Sequence, residues 1–245
     1  MTAFRAIYWR EMGSYIRSPL AFIFVLMFVL LTGIFTFYFG NFFARGEADL
    51  NAFFAFHPYL YLFFMPALGM RLWAEERKSG TIELLFTLPV SPWAAVLGKF
   101  FAAWTFAILA LACTFPMWLS VDWLGQPDHG VIVAGYIGSM LLGGGYLAIS
   151  GCVSAATRNQ VIAFILAAGV CFLFTATGMP FITGALTGWA PQSLIEIITG
   201  LSALTHFQGL VKGVLDARDL VYFLSLIGLW LIASVVTLNL VRSTS

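Results

Sequence analysis

Six long apolar runs decide what this chain can fold into. They lie at about Leu20–Phe43, Phe53–Trp73, Pro92–Ser120, Val131–Ala156, Val161–Ile182 and Leu220–Val241. Each reaches the roughly 20 predominantly apolar residues that carry a helix across a bilayer. The sequence therefore predicts an all-α membrane protein with six transmembrane helices. Composition agrees, with 61% hydrophobic and only 9% charged residues, against about 25% charged in soluble domains. An ordinary globular enzyme, a disordered protein and a secreted disulfide scaffold are excluded. A net charge of +1 offers no footprint for a polyanion, so no nucleic-acid partner is expected.

Arg5, Arg10 and Arg17 precede the first run, which gives it the look of a signal peptide. A signal's apolar core is only about 7–15 residues, and this run is longer, so it is expected to stay in the protein. With the N-terminus cytoplasmic, nine basic residues fall inside: Arg5, Arg10, Arg17, Arg71, Arg77, Lys78, Lys99, Arg158 and Arg242. Three fall outside, Arg45, Lys212 and Arg218. That bias satisfies the positive-inside rule and puts both termini in the cytoplasm.

The spans are poor in chemistry. Ion-driven transporters keep ionisable side chains at membrane depth, and here the middle of each run has none; Arg71 sits one turn from an inner end, where it can snorkel. No paired aspartates, zinc site or Ser–His pair within a span is expected, and no G-x-x-x-x-G-K-[ST] phosphate loop exists. Cys113, Cys152 and Cys171 read as apolar packing residues, and His57, His129 and His206 as scattered positions near span ends or in outer loops. No metal, cofactor or catalytic group is expected in this chain. Uphill movement would draw its energy from another chain. In the fourth run Gly144, Ala148, Gly151 and Ala155 form one small-residue stripe that lets helices approach closely, inside the monomer or at a dimer seam.

The segment 74–91 carries most of the inner charge. Glu75 to Lys78 would extend the second span as a helix, which Gly80 can close in a left-handed conformation. Thr81 suits the N-cap of a second short helix, with Glu83 in its first turn. Pro89 ends that helix near Thr87 or Leu88, and Ser91-Pro92 restarts the next with a capping serine and a proline at its first position. The product is a two-turn helix bearing Ile82, Leu84, Leu85, Phe86 and Leu88. It is too short to stand alone in water and too apolar to be left solvated. Its cover is the protein's own membrane face, lipid headgroups or a soluble subunit.

The run Ala74-Glu75-Glu76-Arg77-Lys78-Ser79-Gly80-Thr81-Ile82-Glu83-Leu84-Leu85, followed by Leu88-Pro89-Val90-Ser91 and Leu97-Gly98-Lys99, resembles the signature of ABC type-2 transporter permeases. Further matching pieces keep their order along nearly the whole chain: Arg10-Glu11, Tyr15, Ser18-Pro19, Met65-Pro66-Ala67-Leu68, Met70-Arg71-Leu72, Thr157-Arg158-Asn159-Gln160 and Asp216 to Phe223. The chain is most similar to the gliding-motility-associated branch and more distantly to the nitrous-oxide-reductase maturation permease. The resemblance implies a single permease domain over 1–245 in the bacterial cytoplasmic (inner) membrane, working as a dimer with an identical or related permease. It implies a coupling helix in the loop 74–91 that docks on a cytosolic ATPase subunit, with Glu75, Glu76, Thr81, Glu83, Leu84 and Leu85 as docking elements. ATP and Mg would be bound by that partner.

The stretch 1–19 would match the family's amphipathic interfacial helix. Phe4, Ile7, Tyr8, Met12 and Tyr15 share one side, with Arg10 and Arg17 on the other and Arg5 and Glu11 as intruders. Arg10 and Arg17 serve either as topology anchors or as ATPase contacts. In the outer segment 183–219, Ser193-x-x-Glu196 fits a capping box and Asp219 is placed to cap the last span. Two short outer-face helices are expected there, as a lid, a contact for an outer-face partner, or padding. The resemblance thus favours the permease of an ATP-driven exporter or mechanotransmission complex; the alternative is a non-transporting membrane scaffold with the same loop as a static docking site.

Overall fold

The computed structural model describes residues 3–87, 89–186 and 191–244, with the side chains of 84–86, 186, 243 and 244 outside the description. Their regular secondary structure is helix alone, with no strand among them. In order the helices are α1 (Ala3–Arg17), α2 (Pro19–Ile34), α3 (Phe42–Arg45), α4 (Asn51–Ala55), α5 (His57–Gly69), α6 (Ala74–Ser79), α7 (Thr81–Thr87) and α8 (Pro92–Ala112). Then follow α9 (Phe115–Leu124), α10 (His129–Ala156), α11 (Gln160–Ala176), α12 (Pro180–Leu186), α13 (Gln192–Gly200), α14 (Ala203–Val211) and α15 (Ala217–Thr244). A π turn, Phe35–Phe39, prolongs α2.

Four continuous stretches are long and apolar enough to cross a membrane: Pro19–Arg45, Pro92–Leu124, His129–Ala156 and Ala217–Arg242. Two of the six expected spans are shorter than the hydropathy pattern suggested. The run 53–73 contains α5, only 13 residues long, because Pro58 has no N–H to continue a helix from α4 and the chain turns after Gly69. The run 161–182 yields α11 with 17 residues, ended before Pro180. The run 92–120 is interrupted at Cys113-Thr114, where Pro116 opens α9. The pair α13 and α14, bent by 69°, is long and apolar enough for a crossing only if the two are taken together.

The long helix α10 forms the axis of the bundle, with 72% of its apolar window buried, whereas α2 has only 22% buried. Against α10 pack α15, α5, α11, α14 and α8. The small residues permit this. A Cβ on Gly69 of α5 would collide with the Ser150 Cβ, and one on Gly144 would lie 2.9 Å from the Trp104 indole nitrogen and 3.0 Å from Ile227 Cδ1. Ala148 and Ala155 are fully buried and Gly151 faces Leu72. The stripe 144/148/151/155 is therefore packed against helices of the same chain. Outward, α2, α11 and α15 expose aliphatic and aromatic side chains such as Phe22, Leu26, Ile165, Leu173, Leu224 and Leu229, as a bilayer or an apolar mate requires.

Contacts sort the loops into two ends. At one end the ends of α10 and α15 meet α6, which in turn meets α1. At the other, a Cβ on Gly125 would meet Ala48, one on Gly40 would lie 2.9 Å from Ala52, and one on Gly213 would lie 2.8 Å from Val131. Segments expected inside thus share one end, and those expected outside share the opposite one.

Candidate functional site

The site is built where α5 gives way to α6. After Gly69 the chain turns through Met70 to Trp73, and a single hydroxyl from α10 closes the turn. Ser154 Oγ accepts from the amides of Trp73 (3.1 Å) and Ala74 (3.0 Å) and donates to the Met70 carbonyl (2.7 Å). The first amides of α6 are thereby satisfied by another helix, which fixes where α6 starts. Arg77 adds a second tie, donating from Nη1 to the Ala155 carbonyl at 2.6 Å.

Gly80 ends α6 at φ 74°, a conformation in which glycine carries no Cβ penalty. α7 follows at once and ends at Thr87, and Ser91 caps α8 by accepting from the Ala94 amide at 3.2 Å. Thr81 does not act as the expected cap. It is the first residue of α7, and its hydroxyl turns back to Ser79 Oγ (2.9 Å) and the Glu76 carbonyl (3.4 Å), binding the two short helices into one corner. Ile82 is buried at 5% exposure and anchors α7. Glu75, Thr81 and Glu83 are exposed and Glu76 half-buried. Leu84 and Leu85 lie on α7, with side chains outside the described residues.

Beneath this corner lies an ion cluster that spacing in the sequence did not show. Lys99 of α8, only 4% exposed at its side chain, places Nζ 2.9 Å from Glu76 Oε1 and 3.1 Å from Glu11 Oε1. The ammonium also sits 5.1 Å from the centre of the Trp73 ring, within cation–π range. Arg10 closes the outer side, 2.7 Å from Glu11 and 3.7 Å from Glu76. Burial alone would raise the Glu11 carboxyl. Lys99 and Arg10 more than reverse this, so Glu11 titrates below the ordinary carboxylate range. Three helices distant in sequence, α1, α6 and α8, are joined through one ammonium.

The apolar side of α1 packs on α8. Phe4 meets Phe101 edge-on at 6.2 Å, Tyr8 donates to Thr105 Oγ1 at 3.2 Å, and Tyr15 stacks on Phe106 at 5.2 Å. Gly98 gives Ile7 its room, since a Cβ there would lie 2.9 Å from Ile7 Cγ2. Glu11, an intruder in the amphipathic pattern, is on this packed side because it meets Lys99. A lone acid on an apolar stripe and a lone lysine at the start of an apolar run were the available signals. Of the two expected arginines, Arg10 joins the cluster, while Arg17 is exposed with no ion pair among the described residues.

The opposite end corrects several readings. Asp219 does not cap α15. Asp216 does so, accepting from the Arg218 amide at 3.0 Å, and Asp219 instead binds His206 Nδ1 at 2.6 Å. The His206 ring also reaches the Gly200 carbonyl (3.0 Å) and stacks on Tyr222. Ser193 lies inside α13, which Pro191 precedes without a side-chain cap, so the expected capping box is absent. His57 is fully buried and lies 2.8 Å from Ser139 Oγ, a Ser–His pair the sequence reading did not foresee. That hydroxyl donates to the Gly135 carbonyl at 2.8 Å, so it accepts from Nδ1–H. With Phe28, Phe53, Phe54 and Tyr61 around the ring, the pair acts as a packing bond rather than an activated nucleophile. Among the described residues no cluster of three His, Cys, Asp or Glu could hold a metal ion.

A corner of two short helices, pinned to a bundle of apolar helices, is the geometry found, and the profile of the ABC-2 family transporter proteins matches residues 5–242. The chain belongs to the ABC-2 transporter family. As an ABC-2 protein it is the membrane permease component of an ABC transporter, integral and multi-pass, and such a component pairs with an ATPase. No curated protein matches it at a significant level.

Proposed function

We propose that this chain is the permease subunit of an ATP-driven exporter or mechanotransmission complex, in which the α6–α7 corner receives force from a cytosolic ATPase. The observation that carries the reading is the attachment of that corner. Glu76 is held by Lys99 on α8, Arg77 by the Ala155 carbonyl on α10, and Lys99 in turn by Glu11 on α1. A push on Thr81–Thr87 would therefore move α1, α8 and α10 together rather than bend a loose loop. The ATPase would close on ATP with its Mg ion, and this chain would supply no catalytic group.

In this reading the chain crosses the bacterial cytoplasmic membrane six times, with both ends and the α6–α7 corner inside. The nine-to-three placement of basic residues supports that sidedness. α11, about 26 Å long at 1.5 Å per residue, and α5, about 20 Å and prolonged by α4 and the turn 70–73, supply the two shorter crossings. A second permease, identical or related, would cover part of the exposed face. Within the family, the run Ala74–Leu85 supports reading the chain as similar to the gliding-motility-associated permeases.

The test is to co-purify the chain with its ATPase and measure ATP turnover for Glu83→Lys and Leu85→Asp. Loss of assembly or of stimulated turnover is expected in both. Unchanged assembly and turnover in both would remove the docking assignment.

A further inference from the structure

A second feature of the same end stands outside the ion cluster. A cavity of about 460 Å³ opens between the α6–α7 corner, the α10–α11 connection and the end of α15, lined among others by Arg77, Lys78, Glu83, Arg158 and Val241. Its wall carries three cations against one carboxylate, a lining charge of +2 by that count. Among the described residues, none of Arg77, Lys78, Glu83 or Arg158 forms an ion pair with another side chain. This differs from the cluster 11/76/99, where each charge has an opposite partner.

Arg77 and Arg158 are close enough to repel. Burial first, and then the Arg158 guanidinium, lower the Arg77 pKa. Arg77 cannot swing away at no cost, because Nη1 is committed to the Ala155 carbonyl at 2.6 Å. Two guanidiniums lining one cavity, neither of them ion-paired to its one carboxylate, match a group that accepts several hydrogen bonds and carries negative charge, and phosphate does so best.

The flanks of the cavity say how that phosphate is presented. Three and four residues beyond Arg158, Val161 and Ile162 are 63% and 49% exposed, and on α15 Val236, about a turn before Val241, is 52% exposed. These aliphatic side chains lie on helices read as spanning the membrane, within about a turn of the lining residues Arg158 and Val241 along the chain. A soluble anion leaves them uncovered, whereas an amphiphile covers both.

We propose that this cavity is a binding site for the phosphate headgroup of an anionic phospholipid, held between Arg77 and Arg158 with its acyl chains along α11 and α15. Basic pockets between membrane helices on the cytoplasmic side take such headgroups. The site rests on the cavity and its charge, not on the ATPase docking reading, and can fail or stand separately from it. Bound there, the lipid would bridge the α6–α7 corner to α11 and α15, which the Glu76–Lys99 contact does not reach.

The experiment uses the full chain in neutral detergent micelles and follows binding of dioleoylphosphatidic acid by native mass spectrometry. Inorganic phosphate forms a parallel arm, with the variants Arg77→Gln/Arg158→Gln, Glu83→Gln and, as a remote control, Arg45→Gln. Expected is retention of the lipid by wild type and Arg45→Gln, at least tenfold weaker retention by the double variant, and tighter retention by Glu83→Gln. The thermal midpoint of each variant in neutral micelles verifies its fold; should the double variant unfold, Glu83→Gln alone still decides by the direction of its shift. Equal retention by wild type and the folded double variant, or no tightening in Glu83→Gln, overturns the site. Displacement of the lipid by millimolar inorganic phosphate assigns the cavity to a free anion and overturns the lipid. Loss of ATPase co-purification with lipid retention intact assigns the arginines to an acidic protein surface and likewise overturns it.

Discussion

Lys99 Nζ of α8 lies 2.9 Å from Glu76 Oε1 of α6, so the first helix of the proposed docking corner is tied to a membrane helix by a buried ion pair. The same ammonium holds Glu11 of α1 at 3.1 Å. Desolvating these groups is costly, and their attraction offsets that cost only while all partners are present.

Removing Lys99 should therefore be severe. Lys99→Met leaves Glu11 and Glu76 facing each other in a largely buried place, and a loss of about 3–5 kcal/mol is expected, the usual result of stripping one partner from a buried pair. Chemical denaturation in detergent measures it. The triple change Lys99→Met/Glu11→Gln/Glu76→Gln should recover a large part of the loss, because no uncompensated buried charge remains and Arg10 stays solvated.

Glu11 links the cluster to pH. Its folded-state pKa lies below the value of 4.5 for a free glutamate, so the unfolded chain binds its proton first as pH falls. The stability it contributes is present above 4.5 and is lost as pH drops through the lower folded value. Thermal midpoints recorded from pH 6 downward should decline more steeply in wild type than in Glu11→Gln between 4.5 and that lower value, and run parallel below it.

The approach of α5 to α10 is set by Gly69. Gly69→Ala places a Cβ against that of Ser150, and since both belong to packed helices the backbone must shift, at an expected cost of about 1–3 kcal/mol. The paired change Gly69→Ala/Ser150→Gly should restore most of it. Thermal midpoints of the two variants check this directly.

Much of this architecture was legible in the sequence because it is local. Gly80 and Ser91-Pro92 mark turns and caps by their own backbone preferences, and both act as read. The apolar side of α1 follows from helical spacing alone. What escaped were pairings across the fold. Glu11 and Lys99 are 88 positions apart, and each taken singly is an oddity on an apolar stripe rather than half of a bond. Helix lengths were overread at Pro58 and Pro180 because hydropathy averages over a backbone break that a missing N–H imposes, whereas Pro92–Leu124 stays one spanning stretch across the break before Pro116. Asp216 and Asp219 are equally good capping candidates by type; the choice between them was made by His206, thirteen residues before Asp219.

The central claim is that the α6–α7 corner is where the ATPase bears on this permease. Site-specific photo-crosslinking tests it most directly, with a photoreactive residue placed singly at Thr81, at Glu83 or, at the opposite end, at Trp123, which is 93% exposed. The account expects crosslinks to the ATPase from Thr81 and Glu83, strengthened or weakened by ATP, and none from Trp123. Crosslinks from Trp123 with none from the corner would contradict it.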